Sequence, residues 1–140
     1  MDITKIPFIK HTGIEKEDEH TLKLEATDVL KNHLGTLHAS ALFTLAETQS
    51  GLSLQEHFPE LEGKVVAVLR DATVKYRNPA TSSIYAVANI KEEVKERFLS
   101  QYARKGCASI VVDVVLKTYD DVVCMQGEFT WFVQKISSIS

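Results

Sequence analysis

Two groups suited to acid–base and oxyanion chemistry stand close together in the run Asn32 to Gly51. One is the Glu47 carboxylate. Its neighbours Ala39, Ala41, Leu42, Phe43, Leu45 and Ala46 leave no wide polar face in the first turns of a helix. A helix apolar on nearly every side is a buried one. A carboxylate inside it is costly unless it is paired, protonated or used. Partial burial raises a carboxyl pKa, which suits proton transfer near neutral pH. The other group is backbone. Gly35 and Thr36 break the preceding segment, with Thr36 as the expected N-cap. The first helical N–H groups, around His38, Ala39 and Ser40, then lack intrahelical partners. At the positive end of a helix dipole they suit a developing negative charge. The stretch therefore combines oxyanion donors with an acid or base.

Spacing constrains how the two can meet. His38 and Glu47 are nine residues apart. If both are helical, they lie roughly 13 Å apart along the axis and point to opposite faces. One chain does not easily bring Glu47 to its own helix N-terminus, whereas a second copy does. The expectation is a homo-oligomer, a dimer or a dimer of dimers, with sites at the subunit interface.

The elements that must position these groups follow from patterning. His20 to Ala26 alternates, with Leu22, Leu24 and Ala26 on one face of a half-buried strand. The helix follows and ends near Leu54, with a loop over residues 55–63 punctuated by Pro59 and Gly63. Val65 to Asn78 is a long strand rich in β-branched residues, with a bulge near Arg70-Asp71 where its inward face switches. Ile84 to Ile90 alternates as a strand. Val94, Phe98 and Tyr102 mark an amphipathic helix, read as a cap on a sheet edge ahead of a lid or a source of charge for a cofactor phosphate. Cys107 to Thr118 and Val122 to Gln134 form a hairpin around Tyr119-Asp120-Asp121, placing Cys107 near Phe132 and Cys124 near Val115. The cysteines match no zinc or redox spacing and read as structural thiols. Ile6 to Ile9 is a short edge or a helical turn, Glu15 to Glu19 a solvated turn, and Ser137 to Ser140 a frayed tail. The result is an α+β chain, with an antiparallel five-stranded sheet curled around one central helix.

The run N-x-x-G-T-x-H-x-x-A-x-x-x-L-A-E resembles the signature of hotdog-fold thioesterases of the phenylacetate-pathway type. Asn32, Gly35, His38 and Glu47 match its spacing, and Val74 to Ala80 resembles the strand that follows the family's helix. The likeness spans about residues 20–134. Two positions depart: Ala39-Ser40 replaces the glycine pair after the histidine, and Glu47 stands where aspartate is common. The resemblance implies the hotdog fold and hydrolysis of acyl-CoA to acid and thiol. It implies Glu47 as general base or nucleophile, Ala39 and Ser40 as oxyanion donors, and Asn32 orienting the carbonyl or the water. His38 either donates to the thioester oxygen or fixes the turn through backbone. Tyr76, Arg77 and Asn78 would contact coenzyme A, with Gly35 and Thr48 also in the substrate-binding set. Rival readings are a 3-hydroxyacyl-thioester dehydratase and a non-catalytic acyl-CoA or small-ligand binder.

Length and composition are consistent with one domain over all 140 residues. The net charge of -3 gives no reason to expect nucleic acid or an anionic membrane as partner. No apolar run reaches a membrane-spanning length and no signal-peptide pattern opens the chain, so the expectation is cytoplasmic. His11, His20, His33 and His57 lack metal-ligand spacing, and no metal or cofactor is expected.

Overall fold

A computed structural model describes residues 1–136, and the expected tail from Ser137 to Ser140 lies outside them. After a 3-10 turn at Ile3–Lys5 come α1 (Pro7–Thr12), β1 (Glu15–Lys16) and β2 (Leu22–Leu24). A second turn, Asp28–Leu30, leads to α2 (Ala39–His57). Beyond a third at Pro59–Leu61 follow β3 (Val65–Tyr76), β4 (Ile84–Asn89), α3 (Glu92–Lys105), β5 (Cys107–Thr118) and β6 (Val123–Lys135). The strands form one antiparallel sheet in the order β1-β2-β4-β5-β6-β3. It has six strands where five were expected. The addition is β1, in the charge run expected to be a turn. Both its residues are exposed, so it leaves no hydrophobic alternation to read.

Alternation along β5 builds the floor of the core. Ala108, Ile110, Val112, Val114 and Leu116 are all buried. Leu22 and Leu24 of β2, Ile84 and Ala86 of β4 and Phe129 of β6 join them against Leu42, Leu45 and Ala46 of α2. The helix runs to His57, a turn past its expected end, because Phe58 is buried and its N–H still reaches the Leu54 carbonyl. No helix among the described residues is long and apolar enough to cross a membrane.

The expected bulge is present between Leu69 and Asp71, and the bulged Arg70 stacks its guanidinium over Phe132 at 3.7 Å. The β5–β6 hairpin is offset from expectation. Cys107 faces Gln134, not Phe132, and a second irregularity at Leu116/Lys117 takes up Cys124 beside the turn. Both cysteines are free. Helix α3 packs on the interior strand β5, and its Phe98 lines a hollow shared with Val65 and Ala67 of the edge strand β3. Its one fully buried side chain, Phe98, lies 4.9 Å from Phe58 at the end of α2.

The loop between β1 and β2 is tied to α2 twice. Gln49, buried in the helix, donates from Nε2 to the His20 carbonyl and accepts the Leu22 N–H, each at 2.8 Å. His20 Nδ1 lies 2.5 Å from a Glu56 oxygen, and this contact holds the imidazole pKa above its ordinary value. The folded pKa being the higher, that tie is fully present below the unfolded histidine range near pH ~6.5. It is lost as pH rises through the raised folded value. Amide protection at residues 17–21, taken relative to intrinsic exchange at each pH, should therefore fall over that interval in the wild type, and Glu56→Gln should flatten the dependence.

Candidate functional site

The turn before α2 is built by Asn32. Its Oδ1 accepts the N–H of Leu34 at 2.9 Å and of Thr36 at 3.1 Å, and its Nδ2 donates to the Thr36 hydroxyl at 2.9 Å. Lys31 and Leu37 close the turn by a β-bridge. Gly35 adopts φ 77°, a left-handed conformation that favours glycine. The Asn32 oxygen is thus engaged within its own turn.

His38, not Thr36, is the N-cap of α2. Thr36 is held by Asn32 before the helix begins, whereas the His38 Nδ1 accepts the Ser40 N–H at 3.0 Å. The Ser40 N–H is therefore already bonded, while the Ala39 N–H has no acceptor among the described residues. An accepting Nδ1 carries no proton, so the neutral imidazole holds its hydrogen on Nε2 as a second donor. His38, Ala39 and Ser40 are all exposed at the helix start. The Tyr76 hydroxyl donates to the Ala39 carbonyl at 3.4 Å, so the end of β3 is brought to the same place.

Glu47 lies eight residues into the helix from Ala39, roughly 12 Å along its axis. With His38 outside the helix, only this axial separation carries over from the expected geometry. Glu47 is half-buried, and its carboxylate makes no hydrogen bond or ion pair among the described residues. Burial alone pushes its pKa above the ordinary glutamate value. Phe43, one turn earlier, packs against Phe129 with ring centres 5.5 Å apart.

The remaining expected contacts are dispersed. Thr48 is 2% exposed and donates its hydroxyl to the Thr44 carbonyl at 2.6 Å, so it faces the interior. Arg77 and Asn78 are exposed past β3. The N–H of Arg77 binds the Cys124 carbonyl at 2.8 Å, and Asn78 Nδ2 binds the Val123 carbonyl at 2.7 Å. No group of three or more His, Cys, Asp or Glu able to hold a metal ion occurs among the described residues.

Two hollows flank α2. A polar one of about 450 Å³ has His20, Gln49, Ser53, Glu56, His57 and Lys95 on its walls. Burial, followed by the Lys95 charge, lowers the His57 pKa. An apolar one of about 600 Å³ lies along the other side, between the end of α2, the first turn and strands β3 and β6. Sequence reasoning named neither Trp131 nor Ser50 as a partner in this region. The indole N–H of Trp131 donates to Ser50 Oγ at 2.8 Å, and Ser50 donates to the Glu47 carbonyl at 2.6 Å. The available signal was a serine following Glu47 at the three-residue spacing of one helix face.

The family model for a domain of unknown function, DUF4442, matches residues 8–133, and the chain belongs to that family. No functionally curated protein matches the chain. Among solved structures, a Pseudomonas aeruginosa protein of unknown function, described as a probable thioesterase, superposes with a TM-score of 0.81 at 21% identity. It covers 95% of this chain and 91% of its own. A Haemophilus influenzae thioesterase superposes with a TM-score of 0.72 at 18% identity, over 96% and 87%. A Bacillus halodurans protein crystallised with CoA gives 0.69 at 24% identity, over 87% and 72%. At these identities the likeness establishes the fold, which is the hotdog fold.

Asn32→Ala removes three side-chain hydrogen bonds from the turn. It should lower unfolding free energy by on the order of 2 kcal/mol, read by urea denaturation. An unchanged midpoint would show that the amide does not hold the turn.

Proposed function

We propose that the protein is an acyl-CoA thioesterase that hydrolyses R-CO-S-CoA to a carboxylic acid and CoA. The observation that carries this reading is the Glu47 carboxylate, half-buried, unpaired and with a raised pKa. Its buried neighbours Thr48, Gln49 and Ser50 all have partners. The thioester oxygen binds at the helix start, where the Ala39 N–H and the outward Nε2–H of His38 are free to stabilise the oxyanion. Ser40 contributes by fixing the imidazole. Glu47 takes a proton from the attacking water, or attacks the carbonyl itself to form an anhydride that water then opens. Tyr76, Arg77 and Asn78 lie at the end of β3 as contacts for the CoA moiety.

A second copy completes the site. Strand β3 is the sheet edge that carries twelve residues, and its Val66 and Val68 are 45% and 46% exposed. A long edge of this kind is a template for strand pairing. Tyr76 touches the start of α2, while Val65 and Ala67 line the hollow at its end. Two copies joined antiparallel along β3 therefore run the Tyr76 end of one past the Val65 end of the other. This twofold arrangement lays the helices in opposite directions, so the partner's Glu47 approaches the oxyanion donors that its own chain holds roughly 12 Å away.

Glu47→Gln should cut thiol release from acyl-CoA by roughly 10²–10⁴-fold without lowering the melting temperature, since it neutralises an unpaired half-buried charge. Full activity in that variant would eliminate this mechanism. As a base Glu47 must be ionised. In the wild type, kcat/KM should therefore fall as pH drops through a value above the ordinary glutamate range. Val68→Glu, on the exposed edge, should shift gel filtration towards a monomer and reduce turnover together. Normal turnover by a monomer would exclude the shared site.

A further inference from the structure

Glycine is a poor choice inside a helix unless a side chain is unwelcome there. Gly51 has no left-handed φ to require it. A Cβ at that position would stand 3.3 Å from the Ile3 Cδ1 and 3.4 Å from the Trp131 ring. It borders the apolar hollow of about 600 Å³, a size within the ~300–1,000 Å³ usual for small-molecule pockets. Gly51, Leu54 and Gln55 follow Glu47 at four, seven and eight residues, so they share its face of α2. The polar hollow takes Gln49, Ser53 and Glu56 from the opposite face. From Gly51 to Phe58 the wall extends roughly 10 Å beyond the carboxylate's own turn.

We infer that this hollow receives the acyl chain of the thioester, that the chain is an unsubstituted aliphatic one of medium length, and that Gly51 with Ile3 and Trp131 sets how much of it fits. This rests on the thioesterase reading above and names its substrate class. Apart from Gln55 and the exposed Glu62, the side chains lining the hollow are apolar or, like Trp131 with its N–H on Ser50, have their polar atom bonded. Each methylene that enters adds a factor of roughly four in affinity, which ranks chain lengths until the hollow is full. The Ile3 side chain, buried in the first turn, forms the wall opposite Gly51.

Trp131 is the chain's one tryptophan, so its emission reports occupancy without any turnover. The experiment measures kcat/KM for acetyl-, octanoyl- and lauroyl-CoA, and Trp131 emission while the Glu47→Gln variant is titrated with octanoyl-CoA. The expected result is a preference for octanoyl over acetyl and a shift in emission. Gly51→Val should lower the octanoyl-to-acetyl ratio by roughly tenfold or more and, combined with Glu47→Gln, cancel the emission shift. Ile3→Ala should raise the lauroyl-to-octanoyl ratio. If circular dichroism shows Gly51→Val unfolded, Gly51→Ala makes the same comparison with a smaller intrusion. Unchanged ratios in folded variants with a silent Trp131 overturn the inference, and if thiol is still released the thioesterase reading stands alone. An emission shift with no thiol released from any thioester overturns hydrolysis and keeps the chain site. A change in oligomeric state with unchanged ratios would mean that a second copy fills the hollow, which also overturns the inference.

Discussion

Helix α2 lies against the sheet with most of its length out of water, and that placement dictates what each polar side chain on it must do. Thr48 and Ser50 bond back to the helix's own carbonyls, and Gln49 takes the place of a strand partner for the β1–β2 loop. Each bond removes the penalty of an unsatisfied group in a poor solvent. Among the described residues, no fully buried side-chain nitrogen or oxygen is left without a partner. Glu47 departs from this pattern within the same turn, since it keeps some exposure and has no bond at all. A protein that satisfies the neighbours so thoroughly gains no stability from leaving a carboxylate in that condition. The interior therefore argues for a role outside folding more strongly than the residue type does.

The start of the helix follows a related logic. Asn32 and Gly35 fold the turn back on itself, the Leu37 N–H binds Ala80 and the His38 N–H binds Leu30. Those contacts set the angle at which α2 enters the core. A serine or threonine cap would leave only a hydroxyl at the helix start. A histidine cap bonds through one nitrogen and presents the other, so capping and an outward N–H come from one side chain. The two possibilities weighed for His38 are thus compatible in a single tautomer.

Much of this architecture is written in local pattern. Strict alternation in β5 and the apolar run of α2 were legible because burial on one face or all round leaves a periodic trace. The Arg70 bulge was legible because it reverses that trace. The two residues of β1 were not, since both stay in water and are held by backbone pairing alone. The Cys107 offset escaped for another reason. An irregularity near the turn changes register without changing which residues are apolar. At the site, motif spacing named Glu47, His38 and Ala39, but the roles of Asn32 and Thr48 depend on who sits three angstroms away. Spacing carries no such information, and the fate of the Ser40 N–H was likewise invisible until the imidazole was seen beneath it.

The two sides of α2 also differ in a way that bears on how the molecule can respond to a ligand. On one side, Gln49 and the His20–Glu56 contact fasten the helix to the short strands at the far edge of the sheet. On the other, Ile3 and Trp131 close on Gly51, and the hollow beyond leaves the end of the helix without packed side chains on that side. Packing density governs where a fold yields, because a wall with atoms on both sides has little room to move. Filling the hollow would press outward on the first turn and on β3, not on the anchored side. Val65 and Ala67 of β3 line the hollow, so a ligand seated there bears on the long edge strand of the sheet.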